Sequence, residues 1–263
     1  MGEEHLAWCN QPLGEHLDDV ARIVALEDDA LGKLEVAAEE VGCRLRKDAL
    51  RREVLSSAAK LAQALDVGLG EAHKLLAVAA YLHDVGKAAS EYQDRLRRAA
   101  KQDPERCPTQ LRGHEILSAW LAWHLVYELL GGGDKAAAIA AGVALHHSAR
   151  RSIDDVLDDV RSAGLTREDV RTLVTTARGV ERFWDNADWG DVWRSVGGRL
   201  AWEYLQTLDA AVLRLRNRLL APAAVWGELV AYVVMLADNL DAALYRGGER
   251  LVYVVKPLLE CGG

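Results

Sequence analysis

One stretch of the sequence, Tyr81-Leu82-His83-Asp84-Val85-Gly86-Lys87, constrains the fold more than any other. The apolar run from Leu75 to Leu82 predicts a buried helix, and a histidine and an aspartate follow directly at its end. Burying an imidazole beside a carboxylate is costly unless another group compensates them. A divalent metal ion would do so, because His nitrogen and Asp oxygen both bind transition metals. Taken alone, such a pair is more often a salt-bridged helix end than a metal site.

The composition favours helices and argues against several classes of protein. Half of the 263 residues are hydrophobic, with one Phe and five Pro, which suits helices better than sheets. The net charge of −8 argues against a generic basic nucleic-acid-binding protein, although bound metal ions would supply positive charge locally. The cysteines form no CxxC pair, so we expect neither a disulfide scaffold nor a zinc ribbon, and we predict a cytoplasmic location. They are Cys9, Cys43, Cys107 and Cys261.

The chain length and hydrophobic pattern predict one all-α domain over residues 1–263, with a core at 12–245 and a tail or short strand at 246–263. We expect no signal peptide and no membrane partner, since the longest apolar run, Ile116 to Leu130, is interrupted by His124 and Glu128.

Hydrophobic periodicity and turn residues predict where the helices lie. The first begins at Pro12 and ends at the acidic residues 27–29, and two more begin at the capping boxes 152–155 and 166–169. We predict a loop with aromatic anchors at 183–193. The other predicted helices cover about 44–65, 71–85, 90–101, 113–130, 135–147, 192–220 and 222–245.

Several histidines and aspartates lie at the apolar faces or ends of these helices. Their wide separations mean that only a helical bundle could bring them together. The residues that stand out in this way are His16, His83, Asp84, His114, His146, His147 and Asp238.

Three other histidines are expected to be ordinary core or surface residues. His73 lies ten residues before His83, which is about 15 Å of helical rise, so both cannot reach one small site. The same argument separates His124 from His114, and His5 precedes any clear structure.

These residues carry a resemblance to the HD phosphohydrolase superfamily. Residues 83–87 resemble its HDxGK signature, and residues 113–119, GHEILSA, resemble the GHExxSA motif of the HD nuclease of type I CRISPR systems, which works with the Cas helicase. Residues 144–147, 15–17 and 237–240 resemble the paired-histidine motif, first histidine and final aspartate of that nuclease. The resemblance covers residues 12–245.

The sequence departs from the family pattern in three places. Ser148 stands where the family usually has Gly, and Asp241 competes with Asp238 one turn later. The sequence has no GxxxxGK[ST] phosphate loop of a helicase. The resemblance therefore implies a stand-alone nuclease subunit whose helicase partner is a separate chain.

The resemblance implies an HD-domain helical bundle with a metal site in its centre. Seven ligands are too many for one tetrahedral zinc and suit two divalent ions, namely manganese, iron, cobalt or nickel, with magnesium possible. By resemblance Asp84 bridges both ions, and Lys87 either neutralises a phosphate oxygen or only faces the helix dipole. The remaining ligands would divide into His16, His83 and Asp238 for one ion and His114, His146 and His147 for the other.

The resemblance implies that the protein hydrolyses single-stranded DNA in CRISPR interference, using a water that two metal ions activate. It also implies that the protein works with a Cas helicase and a surveillance complex. Basic residues near the motifs could follow a strand, with tryptophans as stacking platforms, although solvated charged faces and core tryptophans are the commoner case. These residues are Arg95, Arg97, Arg98, Lys101, Arg150, Arg151, Trp184, Trp189 and Trp193.

Two alternative functions remain open. The first is an HD phosphohydrolase acting on nucleotides or cyclic dinucleotides, although the sequence 148–151 lacks the GYP element that follows the paired histidines in the cyclic-dinucleotide branch. The second is a non-catalytic helical scaffold, which would be expected to have lost ligands, and none is missing here.

Overall fold

Helices dominate the computed structural model, which describes residues 4–40, 42–102, 111–147, 165–206, 208–246 and 256–261. This confirms the predicted all-α class. Eleven α-helices lie within the described residues. They are α1 (Leu13–Val24), α2 (Asp28–Glu40), α3 (Lys47–Leu65), α4 (Leu69–Leu82), α5 (Ser90–Gln102), α6 (His114–Leu130), α7 (Gly133–Leu145), α8 (Arg167–Ala177), α9 (Trp189–Gln206), α10 (Leu208–Leu219) and α11 (Gly227–Arg246).

Two small antiparallel sheets accompany the helices. Strand β1 (Leu6–Trp8) pairs with β2 (Gln11–Pro12), and β3 (Cys43–Leu45) pairs with β4 (Leu259–Cys261). Single 3₁₀ turns lie at Val85–Ala88, Arg178–Phe183, Pro222–Trp226 and Lys256–Leu258.

Helix α4 lies at the centre of the core. Every side chain from Leu75 to Leu82 is buried. This is the burial expected of a helix that is apolar on all faces. The helix contacts α1, α3, α6, α7 and α11, so its C-terminal end is surrounded by other helices.

Helices α7 and α11 approach each other closely because small residues lie between them. A Cβ added to Gly142 would lie 2.4 Å from the Cβ of Val230, and one added to Gly227 would lie 2.5 Å from the Cβ of Ala141. Larger side chains at either glycine would push the helices apart, and with them the end of α7 and the side chains that α11 presents to the core.

The structure corrects several predicted boundaries. Residues 28–29 begin α2 instead of ending the first helix, because acidic residues also favour the first turn of a helix. The helix predicted over 192–220 is two helices, and α9 already begins at Trp189, inside the predicted loop. The capping box at Thr166 is confirmed, whereas residues 148–164, with the box at 152–155, lie outside the described residues.

The prediction for the cysteines is wrong, since Cys9, Cys43 and Cys261 are all disulfide-bonded. Cys43 on β3 and Cys261 on β4 are joined by a disulfide that links residues 218 positions apart. A separation of this size leaves no local sequence signal, which explains why the pattern of isolated cysteines gave no indication of it.

One segment, Pro222–Ala243, has the length and apolar composition of a membrane-crossing helix, and half of its most apolar window is buried. Core helices of globular proteins meet the same criterion. Here the segment includes most of α11, which packs against α1 and α7.

A buried ionic network ties α6, α9 and α10 together. Glu203, which is 3% exposed, accepts hydrogen bonds from Trp120 Nε1 at 2.6 Å and Arg218 Nη2 at 2.9 Å, and its Oε2 lies 3.1 Å from His124 Nε2. Burial would raise the pKa of Glu203, but its hydrogen bonds to His124, Trp120 and Arg218 lower the pKa to about 2. Arg218 also stacks on the ring of Trp123 at 3.7 Å.

We predict that Glu203→Ala lowers the free energy of unfolding by about 3–5 kcal/mol, because it leaves Arg218 without its buried partner. Urea denaturation measures the change. In the wild type the contribution of Glu203 to the free energy of unfolding should decrease as the pH falls from about 4.5 towards 2. The reason is that the carboxylate is protonated more easily in the unfolded chain.

The matched control is Arg171→Ala, which removes an exposed 3.0 Å ion pair with Glu168. Exposed pairs contribute little, so a change within about 1 kcal/mol is expected. An equal effect of the two substitutions would contradict a structural role for the Glu203 network.

Candidate metal centre

Helix ends deliver most of the candidate ligands to one place. His83 and His146 are the C-terminal caps of α4 and α7, and His114 is the first residue of α6. Asp84 follows His83, and His147 follows His146. The other two candidates come from helix interiors: His16 lies in the first turn of α1, and Asp238 lies on α11.

Asp84 is at the centre of this cluster and is fully buried. Its Oδ2 lies 3.2 Å from His16 Nε2 and 3.5 Å from His83 Nε2. Asp238 Oδ1 completes this side of the cluster, at 3.5 Å from His16 Nε2 and 3.8 Å from His83 Nε2. We call His16, His83, Asp238 and Asp84 Oδ2 the first donor group.

The other oxygen of Asp84 faces the remaining histidines. Its Oδ1 lies 2.7 Å from His114 Nε2, 3.5 Å from His146 Nε2 and 3.9 Å from His147 Nε2. We call these three histidines and Asp84 Oδ1 the second donor group. One carboxylate thus offers one oxygen to each group.

Three of the histidines, His83, His114 and His146, present a ring-nitrogen lone pair to the centre of the cluster. His83 Nδ1 donates to Ala80 O, and His146 Nδ1 donates to Val143 O, each at 2.6 Å. His114 Nδ1 donates in the same way to Leu111 O. A neutral imidazole carries one proton, so each Nε2 is left as an acceptor that points at Asp84 or at another ring.

The cluster passes a direct test of fit for metal ions. Asp84 Oδ1, His114 Nε2 and His146 Nε2 are buried and have no hydrogen-bond partner among the described residues. Buried polar atoms are normally satisfied, so three such atoms at one point call for a ligand. The ligand atoms of His16, His83 and Asp84, and those of Asp84, His114, His146 and His147, each lie within 4.8 Å of one another, as a shared cation requires.

The electrostatics show how the carboxylates are balanced by the protein itself. Burial would raise the pKa of Asp84, but Lys87, His83 and His114 hold it well below its usual value. Burial would lower the pKa of His16, but hydrogen bonds to Asp241 and Asp84 raise it to about 10. A bound cation would take over this role from the protons, so metal binding should release protons.

A close helix approach fixes the turn that carries Asp84 and Lys87. A Cβ added to Gly86 would lie 2.0 Å from His114 O, so only glycine fits there. The backbone N–H of Gly86 donates to Ser118 Oγ at 2.8 Å. Lys87 is nearly buried, and its ammonium group pairs with Asp84 Oδ2.

A second contact holds the far end of this turn. Asp169 accepts a hydrogen bond from the backbone N–H of Ser90 at 2.7 Å, while its other oxygen accepts one from Thr166 N. The capping box of α8 therefore also fixes the start of α5. The turn between Asp84 and α5 is thus tied to α6 at one end and to α8 at the other.

Asp238 and Asp241 lie at different positions relative to the cluster. Asp238 faces His16 and His83 on the cluster side, whereas Asp241 lies behind His16, with Oδ2 at 2.6 Å from His16 Nδ1. The histidines that were expected to be ordinary do lie elsewhere. His73 bonds to Val24 O, and His124 belongs to the Glu203 network.

The tryptophans and the basic residues that could follow a nucleic acid strand differ in their exposure. Trp184 and Trp193 are buried, and Trp189 stacks on Trp193 with ring centroids 5.7 Å apart, so these three belong to the packing of the fold. Arg95, Arg98 and Lys101 on α5 are exposed, while residues 150 and 151 lie outside the described residues.

Sequence reasoning missed three contacts around the cluster. Ser118 lay inside the GHExxSA-like motif and could have been found there, but its hydrogen bond to Gly86 could not. Asp169 was read only as part of a capping box. Gln11, which donates to Asp241 at 2.8 Å, carried no signal at all.

Comparison with known proteins supports one family. The sequence model described as "Cas3, HD domain" matches residues 3–240. Among solved structures, a CRISPR-associated Cas3 HD domain protein of Methanocaldococcus jannaschii is 20% identical, with a TM-score of 0.40, over 90% of this chain and 100% of that one. The T. fusca Cas3-ATP structure is 17% identical, with a TM-score of 0.39, over 95% of this chain and 26% of that one. No curated protein sequence matches the chain.

We predict that Mn²⁺ added to metal-free protein raises the free energy of unfolding by about 2.7 kcal/mol for each ion bound, at an ion concentration 100 times the dissociation constant. Thermal denaturation with and without chelator measures the change. His83→Gln should reduce the gain, whereas His73→Gln, in the same helix but outside the cluster, should leave it intact. Equal gains in both variants would contradict the ligand role of His83.

We also predict that Gly86→Ala lowers stability by more than 1 kcal/mol, because the new methyl group would overlap His114 O. Gly198→Ala is the matched control, since a Cβ there meets nothing within 4 Å in the middle of α9. That control should be neutral or stabilising by about 0.5–1 kcal/mol. A neutral Gly86→Ala would show that the turn has room to move away from α6.

Proposed function

We propose that this chain is a nuclease that cleaves phosphodiester bonds of single-stranded DNA with the help of two divalent ions. The chain belongs to the Cas3 HD domain family and is thereby an HD-type metal-dependent hydrolase. The observation that carries the proposal is the division of ligands around Asp84. Its Oδ2 faces His16 and His83, and its Oδ1 faces His114.

The first donor group would hold one ion and the second donor group the other, with Asp84 shared. When bound, such ions supply Lewis-acid activation of water and stabilise charge on the transferring phosphorus. Imidazole and carboxylate ligands together suit manganese, iron, cobalt or nickel. Magnesium, a hard cation that prefers oxygen ligands, is the alternative.

The exposure of the ligands indicates where a substrate would approach. The side chains of His16, His83, Asp84, His114 and His146 are at most 5% exposed. Those of His147 and Asp238 are 38% and 17% exposed, and that of Lys87 is 11% exposed. The scissile phosphate would therefore enter on the side of these three residues.

Lys87 is the charged residue that we propose to contact the substrate. Its ammonium group already lies beside Asp84 Oδ2, and its side chain is 11% exposed. A nearby cation would neutralise a phosphate oxygen as negative charge develops there. Asp84 would act as the shared ligand, so its loss should remove both ions and all catalysis.

The biological setting of the proposal comes from the family. By the resemblance described above, the nuclease of this family works with a Cas helicase; this chain spans 26% of the length of the T. fusca Cas3 chain. We propose that this chain acts in the cytoplasm in CRISPR interference, with a separate Cas helicase and the surveillance complex as partners. The exposed Arg98 and Lys101 on α5, together with Arg95, which pairs with Glu91, offer basic groups for a DNA strand.

The test compares substrates with metal-stripped protein refilled with Mn²⁺. A single-stranded DNA oligonucleotide, an RNA oligonucleotide, free nucleotides and cyclic dinucleotides are assayed side by side. We expect cleavage of the DNA, and a loss of at least about 100-fold in Asp84→Ala. His73→Gln serves as the control and should keep full activity.

Two results would contradict the proposal. Phosphate release or ring opening from the small molecules, with the oligonucleotides intact, would place the protein with the nucleotide hydrolases of the superfamily. Failure to bind Mn²⁺ or hydrolyse any substrate would support a non-catalytic scaffold.

A further inference from the structure

A buried carboxylate behind His16 has no place in the ligand set described so far. Asp241 on α11 is completely buried. Its Oδ2 lies 2.6 Å from His16 Nδ1 and accepts a hydrogen bond from Gln11 Nε2 at 2.8 Å. Gln11 is itself 2% exposed and lies on β2, directly before α1.

The other deeply buried histidines of the cluster are oriented differently. His83, His114 and His146 each donate Nδ1–H to the backbone carbonyl three residues earlier. His83 and His146 cap the ends of helices, and His114 begins one, so suitable carbonyls lie nearby. His16 lies inside the first turn of α1, where the backbone carbonyls are used by the helix. Its acceptor is supplied instead by a side chain 225 residues away.

Hydrogen bonds from His16 and Gln11 need only an acceptor oxygen at residue 241, and a neutral side chain could supply it. The other oxygen of Asp241, Oδ1, is buried without a hydrogen-bond partner among the described residues. A neutral amide could accept from His16 at much lower desolvation cost. A full negative charge behind the imidazole is useful where a cation is bound on the opposite side of the ring, because it strengthens donation from Nε2.

We propose that Asp241 is a positioning residue that, supported by Gln11, orients His16 and strengthens its binding to the ion held by the first donor group. This inference rests on the proposed function, since it requires a metal ion there. Asp241 does not touch the ion or the substrate and acts through His16 alone. In the second donor group, His114 and His146 are oriented by backbone carbonyls and do not depend on it.

The test is a double-mutant cycle read out by metal affinity and not by activity. Mn²⁺ binding to metal-free protein is measured by calorimetry in wild type, Asp241→Asn, His16→Gln and the double variant. We expect Asp241→Asn to weaken binding at the first donor group about 10- to 100-fold in the wild-type background. In the His16→Gln background the same substitution should change affinity less than about twofold, because the residue through which it acts is gone.

Glu203→Gln is the matched control. Glu203 is also a buried carboxylate that contacts a histidine, His124, but it lies outside the cluster. It should lower thermal stability and leave Mn²⁺ affinity unchanged. This control separates loss of packing from loss of ligand orientation.

The outcomes separate this inference from the function on which it rests. Equal loss of affinity in both backgrounds, or no loss in the wild-type background, would overturn the role of Asp241 while leaving the metal centre intact. No Mn²⁺ binding by the wild type would overturn the proposed function itself, and this inference with it.

Discussion

Asp84 is a fully buried carboxylate, and the surrounding helices are arranged so that its charge is compensated. An isolated buried charge costs far more than a small domain can spare. Five histidines and Lys87 surround the carboxylate, yet one of its oxygens still lacks a hydrogen bond among the described residues. This incomplete compensation is the physical reason to infer a cation.

The rest of the architecture follows from keeping these groups at fixed distances. The second half of helix α4, residues 75–82, is apolar on all faces, so it occupies the centre and its end places His83 and Asp84. Gly86 lets α6 approach until His114 reaches the carboxylate. The small residues between α7 and α11 bring His146 and Asp238 in from the other side. Ser118 and Asp169 hold the turn between them.

The sequence allowed the ligands to be proposed because their spacing matches a known pattern and because helix ends are marked by local signals. Periodicity placed α1, α3, α4, α6 and α7 within a few residues, and the structure confirms the helical class. The ligand roles of the seven residues stay predictions, although their side chains do converge. Local signals sufficed for helices because helix formation is governed by residues three and four apart.

Contacts between distant residues could not be predicted in the same way. The hydrogen bond from His16 to Asp241 spans 225 residues, and the disulfide of Cys43 spans 218. Helix α2 was not predicted because the acidic residues at its start are equally typical of the end of the preceding helix. The break between α9 and α10 falls in a stretch that is amphipathic on both sides, so no change of period marked it.

The most direct test of the central claim is anomalous X-ray diffraction from crystals soaked in Mn²⁺. Two anomalous peaks are expected on the two sides of Asp84, about 3.5–4 Å apart. One should lie within bonding distance of His16 and His83, and the other within bonding distance of His114 and His146. A map without peaks at Asp84, or with one peak that contacts only one of its oxygens, would contradict a shared carboxylate between two ions.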